Sequence, residues 1–299
     1  MKRIVLLAVL VFMLFAASVT AAPVADPLIL NVGNWYRANP MPAAPGITGE
    51  ILFQSPRSAV IIRQAPAGTK IAPHYHNTAD EFLYIVEGSA ELLTNGDWVK
   101  LQPGDVHANP RGAVHALNIT DPKGCRFLSI FTPPQPPKGD MTFIPAGEPL
   151  QSPGGLIDAS PGTGMVITLK EWESSPGVQQ DQSYGLGVTP DSIDNSGLRA
   201  LTAIQSPRSV LMLQDAGYGA RHRHNDDQGD EIAIVVSGSA HVLTGNRADT
   251  IAKNYLQVIP MGTEHEMKLM LGESIRFISV YALPEKQTGA IPGLFPVFK

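Results

Sequence analysis

The sequence contains a single cysteine, Cys125, among its 299 residues. A lone cysteine excludes an intrachain disulfide, so the fold must be held together by its packed core. Cys125 stands just before the strand-like residues 127–131. This setting favours a small buried apolar residue over a reactive thiol.

The sequence also lacks a basic cluster, with 22 Lys and Arg residues against 27 Asp and Glu residues. Nucleic acids and anionic membrane surfaces both require a concentrated positive face on their protein partner. The charge distribution therefore argues against either partner and favours a small-molecule substrate. It leaves open whether the chain forms a homo-oligomer.

The apolar run at residues 4–19 has two interpretations, a secretory signal and a membrane anchor, and it is shorter than the roughly 20 apolar residues that an anchor needs. It follows Lys2 and Arg3 and ends in small residues. This pattern predicts a secretory signal at residues 1–21, cleaved after Ala21. We therefore expect an exported protein, periplasmic or secreted, with no membrane segment after cleavage.

Long helical stretches are scarce, because 28 Gly and 26 Pro interrupt the chain. Short runs of Val, Ile, Leu, Phe and Tyr alternate instead with turn signals at a spacing typical of antiparallel barrels. These runs are residues 59–62, 81–86, 90–93 and 127–131, then 210–213, 232–236, 240–243 and 277–281. The pattern predicts an all-β protein of two barrels or jelly rolls.

The chain repeats itself at a separation of about 150 residues, which is the signature of a duplicated domain. Gln-Ser-Pro-Arg-Ser at residues 54–58 returns at 205–209, and Arg-Phe at 126–127 returns at 276–277. Residues 132–201 are rich in Pro, Gly, Ser and Asp and are predicted to be mainly connecting structure. We therefore expect an N-terminal domain at residues 22–150 and a C-terminal domain at residues 151–299.

Three histidines and one glutamate of the first half are predicted to meet in the barrel interior. His74 and His76 are two residues apart on a predicted strand, so their side chains share one face. Glu81 opens the next strand after a polar hinge, and His115 follows the turn at residues 109–112. Such a donor set suits a divalent Mn, Fe, Co, Ni, Cu or Zn ion and leaves coordination positions open.

These residues resemble the two sequence motifs of the cupin superfamily. The first motif is Gly, five residues, His-x-His, three or four residues, Glu, six residues, Gly, met by Gly68, His74, His76, Glu81 and Gly88. The second is met by Gly104, Pro110, Gly112 and His115, while Asn118 lies one residue closer than the pattern asks. The resemblance implies a bicupin of two double-stranded β-helix, or jelly-roll, barrels in tandem, with one metal ion per barrel.

The second half offers the same ligand types in His222, His224, Glu231 and His265. It departs from the family in the six residues between His224 and Glu231 and in Asn254, where the motif has glycine. Extra loop residues cost little in a hairpin connection. We therefore expect Glu231 to be the ligand, and the alternatives are Asp226, Asp227 and Asp230.

Counting by twos from the ligands predicts the other side chains that point inward. They are Ala72, Leu83, Ile85 and Leu117 in the first half, and Ala220, Ala233, Val235 and Met267 in the second. Both pockets are therefore expected to be apolar, with the roomier one in the second half. An apolar pocket over an open metal position suits an aromatic or ketone-like substrate, or O₂ chemistry, better than a small dianion.

Three function classes follow from this interpretation. Resemblance to flavonol (quercetin) dioxygenases implies a metal-dependent dioxygenase acting on an aromatic or enolisable small molecule, with Glu81 or Glu231 as general base. Resemblance to oxalate decarboxylase implies an O₂-independent lyase or isomerase. The third class is a non-catalytic metal-binding or sugar-binding cupin. We favour the dioxygenase.

The arginine pattern separates the first two classes. Oxalate decarboxylases carry an arginine three residues before the first ligand, and this chain has Ile71 and Gly219 there. Arg57 and Arg208, which repeat at matching positions, are candidate replacements for that anion-binding group. A surface or strand-end salt bridge is the expected role for both.

Overall fold

Short antiparallel strands dominate the computed structural model, which describes residues 26–134, 141–149, 164–174, 198–225 and 229–284. The predicted signal sequence at residues 1–21 lies outside these ranges. Within them, no helix is long and apolar enough to cross a membrane. The strands form two antiparallel jelly-roll barrels, so the predicted all-β fold class is confirmed.

The first barrel is built from two sheets. The six-stranded sheet contains β2 (Thr48–Gln54), β3 (Ala59–Ala65), β5 (Asp80–Gly88), β8 (Val106–Asn109), β10 (Cys125–Thr132) and β12 (Met165–Ile167). The five-stranded sheet contains β4 (Lys70–His76), β6 (Ala90–Thr94), β7 (Asp97–Leu101), β9 (His115–Asn118) and β11 (Met141–Phe143).

The second barrel repeats this plan in one continuous sheet of nine strands. Eight of these strands are β13 (Leu198–Gln205), β14 (Ser209–Ala216), β15 (Arg221–Asn225), β16 (Asp230–Thr244), β17 (Arg247–Ala252), β18 (Tyr255–Ile259), β19 (Glu264–Lys268) and β20 (Ile275–Ala282). Strand β16 is the counterpart of β5 and β6 together. It joins the two layers because it pairs with β18 and β20 at its start and with β17 and β19 at its end.

The ninth strand of the second barrel, β1 (Leu28–Asn31), comes from the start of the described chain and pairs antiparallel with β18. Conversely, β12 pairs antiparallel with β8 of the first barrel, although it follows the first barrel in sequence. One edge strand of each barrel therefore comes from the segment that precedes the other barrel in sequence. This exchange crosses the predicted domain boundary between residues 150 and 151.

Each exchanged strand leads directly into a short helix. These helices are α1 (Val32–Ala38) and α2 (Leu169–Ser174). Helix α2 begins with a capping box, in which the Thr168 hydroxyl accepts from the Glu171 backbone N–H and the Glu171 carboxylate accepts from Thr168. Arg126 and Arg276, which occupy equivalent positions in the two repeats, each stack on a buried aromatic residue of one helix. Arg126 lies 5.0 Å from the ring centre of Tyr36, and Arg276 lies 5.3 Å from that of Trp172.

The chain buries two barrel interiors and a third core between the barrels. Alternate residues of β3, such as Val60 and Ile62, face away from their own barrel and share a core with Leu211 and Leu213 of the second barrel. Cys125 is fully buried in the interior of the first barrel, and burial raises its pKa to about 12. The expectation that Cys125 is a small buried residue is therefore confirmed.

Two buried aspartates connect the barrels reciprocally. Asp230 of the second barrel accepts hydrogen bonds from the Ser55 and Ser58 hydroxyls and from the Arg57 guanidinium, at 2.8 Å from Nη2. Asp80 of the first barrel is bound in the same way by the equivalent residues of the second. Those are Ser206, Arg208 and Ser209.

Arg57 and Arg208 therefore form ion pairs between the barrels and do not enter the candidate sites. The expectation of a salt bridge at each arginine is confirmed, although Arg208 is buried rather than at the surface. The alternative role as an anion-binding group for substrate is wrong, because both guanidiniums are occupied by aspartates.

Replacing Asp230 by alanine should destabilise the protein by about 3–5 kcal/mol, because it leaves the Arg57 charge and two buried serines without their acceptor. The shift in the urea midpoint of unfolding measures this effect. As a control, Arg223→Met removes an ion pair with Glu264 in which both side chains are more than half exposed. We expect that midpoint to be unchanged, and equal midpoints for both variants would contradict the assigned role of Asp230.

Candidate metal centre

The first barrel brings its four predicted ligands together from three strands. His74 and His76 lie on β4, and both side chains are buried. His115 lies on β9 directly opposite His74, and Glu81 is the second residue of β5. His74 and His76 therefore share one face of the sheet, as predicted, and His115 of the neighbouring strand lies on that same face.

The three histidines each present a ring nitrogen within 4.8 Å of the other two. Their ring centres are 5.3 Å apart for His74 and His76 and 4.2 Å apart for His74 and His115. The Glu81 Oε2 atom lies 3.2 Å from Nε2 of both His76 and His115. Nitrogen and carboxylate donors at this mutual spacing fit a first-row transition-metal ion, which binds each donor at roughly 2 Å.

Backbone and side-chain groups orient two of the imidazoles. The Nδ1 atom of His74 lies 2.9 Å from the Ala72 carbonyl, which leaves Nε2 for the centre. The Nδ1 atom of His115 faces the Ala113 carbonyl and the Asn109 amide group, which is 2.7 Å away. The Asn109 Oδ1 atom is buried with no hydrogen-bond partner, so a 180° amide rotation would place it opposite an Nδ1–H of His115.

The protonation states of the apoprotein suit metal binding. Burial and the neighbouring His115 lower the pKa of His74 to about 4, so its imidazole is neutral at pH 7. Burial alone would raise the pKa of Glu81, but hydrogen bonds from His115 and His76 outweigh it and hold that pKa well below the usual range. The centre therefore presents a neutral imidazole at His74 and an ionised carboxylate at Glu81.

The turn before His115 donates backbone hydrogen bonds to His76 and to Asp80, the residue before Glu81. The Gly112 N–H donates to the His76 carbonyl at 2.9 Å, and the Arg111 N–H donates to the Asp80 carboxylate at 2.8 Å. Asp80 precedes Glu81 and also receives the interdomain hydrogen bonds. Asp80 therefore connects the contact between the barrels to the segments that carry the metal ligands.

The glycine of the second motif is needed for its backbone conformation. Gly104 has φ +95° and its N–H donates to the Ile85 carbonyl. In the second barrel Asn254 occupies this position with φ +68°, and its backbone N–H donates to the Val235 carbonyl at 3.0 Å. Asparagine tolerates this left-handed conformation better than other residues with a side chain, so the departure from the motif preserves the turn.

The second barrel assembles its candidate ligands differently. The rings of His222 and His265 are 5.4 Å apart, and His265 Nε2 is 3.5 Å from the Glu231 carboxylate. His224 pairs through its backbone with His265, but its side chain lies outside the described part of the chain. Among the described side chains, only His74, His76 and His115 form a cluster with metal-binding spacing.

The Glu231 carboxylate is held mainly by hydroxyl groups. Ser279 Oγ donates to Glu231 Oε1 at 2.6 Å, and Tyr281 donates a further hydrogen bond. Burial raises the pKa of Glu231, and these two hydrogen bonds only partly oppose that effect. Asp230, one alternative ligand, is instead bound to Arg57, whereas Asp226 and Asp227 lie outside the described residues.

The cavity beside the first centre differs in detail from the prediction. Leu83 and Leu117 line it as expected, but Ile71 takes the place of Ala72, which is exposed. The reason is a bulge in β4, where three steps from Ile71 to His74 face two steps in β9. Ile85 lies in the interior core of the barrel and is not among the cavity-lining residues.

The second cavity is lined by Ala233, Val235 and Met267 as predicted, whereas Ala220 lies in the core. Its volume is about 20 Å³, against about 40 Å³ for the first. The expectation of a roomier second pocket is therefore wrong. Gln257, Ile259 and Phe277 also line the second cavity, so small side chains at 233 and 235 do not set its size.

Two polar residues of the first cavity were missed by the sequence reasoning. Arg63 on β3 and Ser129 on β10 line it together with the histidines and Glu81. The expectation of a wholly apolar pocket is therefore wrong for the first barrel. The alternation of side chains along β3 could have predicted the position of Arg63. Val60 and Ile62 face the core between the barrels, so Arg63 must face the interior of its own barrel.

Replacing His115 by alanine should lower the metal affinity of the first centre at least 100-fold, because one of three clustered nitrogens is lost. Metal analysis after dialysis against a competing chelator measures this. The control His241→Ala removes a half-exposed histidine outside both centres and should retain the wild-type metal content. Unchanged metal content in His115→Ala would argue against this centre.

Comparison with known proteins agrees with this architecture. Residues 60–131 match the family model described as a cupin domain. A segment of 74 residues is 30% identical to quercetin 2,3-dioxygenase of Bacillus subtilis (strain 168), covering 25% of this chain and 22% of the relative. A 94-residue segment is 30% identical to the tetracenomycin polyketide synthase protein TcmJ of Streptomyces glaucescens, covering 31% and 62%. The chain therefore matches less than two thirds of the length of either relative.

Solved structures show the same fold over most of the chain. Salicylate 1,2-dioxygenase from Pseudoaminobacter salicylatoxidans, in complex with gentisate, superimposes with a TM-score of 0.60 at 16% identity, covering 86% of this chain and 82% of that one. A cupin 2 conserved barrel domain protein from Leptotrichia buccalis gives 0.57 at 11% identity, covering 87% and 98%. The two motifs, the two jelly-roll barrels and the match of residues 60–131 to the cupin family model together support placing this chain in the cupin superfamily.

Proposed function

We propose that this protein is a metal-dependent dioxygenase that acts on an aromatic or enolisable small molecule in its first barrel. The observation that carries the proposal is the buried cluster of three histidines and a glutamate beside a cavity. The similarity to a quercetin dioxygenase segment supports the same reaction class. The gentisate complex of the salicylate dioxygenase supports an aromatic substrate.

His74, His76, Glu81 and His115 would hold the metal ion, which when bound supplies a Lewis acid and a route for O₂ chemistry. Glu81 is ionised at neutral pH and lines the cavity, so it is positioned to accept a proton from an acidic hydroxyl of the substrate. Leu83, Leu117 and Phe127 form the apolar wall that excludes water around this proton transfer.

The second barrel has a structural role in this proposal. Among the described side chains, only the first barrel gathers three histidines at metal-binding spacing, so a substrate bound at that metal would lie beside Glu81 and not beside Glu231. The smaller cavity of the second barrel agrees with this assignment. We therefore assign the proton-accepting role to Glu81 and not to Glu231.

An O₂-independent decarboxylase is the second candidate, and the presence of Arg63 in the first cavity favours it. A guanidinium beside a metal centre would hold the carboxylate that such an enzyme removes. The dependence of product formation on O₂ separates the two candidates.

We also propose that the protein is exported, on the strength of the signal pattern at residues 1–21. Mass spectrometry of protein expressed with its full N-terminus should give a chain that begins at Ala22. An uncleaved chain in the cytoplasmic fraction would contradict export.

The metal-loaded protein should consume O₂ in step with loss of a substrate from a panel of quercetin, acetylacetone, gentisate and salicylate. Glu81→Gln should lower kcat about 10²–10⁴-fold, the usual contribution of a general base. The matched variant Glu231→Gln in the second barrel should keep most of the activity. Equal product formation under argon would exclude a dioxygenase and favour the decarboxylase.

A further inference from the structure

Arg63 is a cation inside the first barrel with no carboxylate partner. Among the described residues, no acidic oxygen lies within the 4.0 Å of an ion pair, and Arg63 Nε is buried with no hydrogen-bond partner. The guanidinium carbon lies 5.8 Å from the Phe131 ring centre, and that ring is in edge contact with His76. Arg63 therefore lies near the metal centre, where the Glu81 carboxylate favours its charged form without forming an ion pair with it.

Ser129 provides a second unsatisfied group in the same cavity. Its side chain is 1% exposed, and its Oγ atom has no hydrogen-bond partner. Ser129 is opposite Ile61 across the β3–β10 pair, and Arg63 is opposite Phe127. Arg63 and Ser129 are therefore diagonal neighbours on the inner face of one sheet, at a spacing that a long side chain can span.

The equivalent positions of the second barrel are satisfied internally. Gln214 stands where the repeat has Arg63, and its Nε2 donates to Ser279 Oγ at 2.8 Å. Ser279, the counterpart of Ser129, donates in turn to Glu231. The second barrel closes this set of hydrogen bonds within the protein, whereas the first leaves a guanidinium and a hydroxyl open to its cavity.

We propose that Arg63 and Ser129 bind the carboxylate of the substrate, so that the first barrel selects small carboxylic acids over neutral analogues. This inference rests on the proposed function for the location of the substrate. A divalent ion and Arg63 together outweigh the single negative charge of Glu81, so the loaded cavity attracts an anion. The planar guanidinium fork matches a carboxylate, and the serine hydroxyl supplies a further donor.

Calorimetry with salicylate and salicylamide tests this inference, because the two probes have the same shape and differ in charge. The full chain is loaded with Zn²⁺ and titrated anaerobically at pH 6.5, so that no turnover is needed. Wild-type protein should bind salicylate at least tenfold more tightly than salicylamide. Arg63→Gln, which copies the second barrel, should remove that preference, and Ser129→Ala should reduce it about threefold, in the range expected for one hydrogen bond.

Two further variants keep the result interpretable. Arg63→Lys preserves the charge and should retain part of the preference, and Gln214→Ala in the second barrel should leave it unchanged. Metal content and the melting temperature are measured for each variant. Equal binding of both probes, no binding of salicylate, or an unchanged preference in metal-loaded Arg63→Gln would overturn the inference.

The experiment also separates this inference from the proposed function. Charge-selective binding that depends on Arg63, without O₂ uptake on any substrate, would leave the carboxylate site standing and remove the dioxygenase. O₂-dependent turnover of neutral substrates, with no preference for salicylate, would support the dioxygenase and remove the carboxylate site.

Discussion

The buried carboxylates of Asp80 and Asp230 are the contacts on which the two-barrel structure most depends. A charge removed from water is costly unless it is paired and hydrogen-bonded, and most of the partners of each aspartate come from the other barrel. Asp80 also accepts a hydrogen bond from the turn before His115 and directly precedes Glu81, so it links the contact between the barrels to two ligand-bearing segments. The metal centre of one barrel is thus supported by the other.

Three of the four candidate ligands were predictable because their spacing is local, whereas His115, on a distant strand, was identified by its match to the second cupin motif. His74 and His76 share a strand face by alternation, and the hinge to Glu81 is only four residues long. The exchange of β1 and β12 was not predictable from spacing. Each is a short apolar run whose partner strand lies far away in sequence, and no local signal distinguishes an exchanged edge strand from one that stays in its own barrel.

The prediction of inward-facing side chains from strand alternation was wrong where the strand is not regular. The bulge in β4 shifts the register by one residue between Ile71 and His74, which moves Ala72 to the outside. Arg63 is not reached by alternation from the ligands, because it lies on β3, which carries none of them. A charged residue in the middle of an apolar strand is a signal of a functional position, because a partly buried cation without an ion-pair partner is uncommon elsewhere.

The two barrels show how a duplicated centre can diverge without losing its ligands. Phe131 of the first barrel corresponds to Tyr281 of the second, and the added hydroxyl donates to Glu231. With Gln214 in place of Arg63, the second cavity acquires enough internal donors to satisfy its glutamate without a ligand. A cavity whose polar groups are satisfied gains little by binding an anion, whereas one that holds an unpaired guanidinium gains a charge-assisted hydrogen bond. The position of Arg63 therefore supports the proposal that the substrate binds in the first barrel.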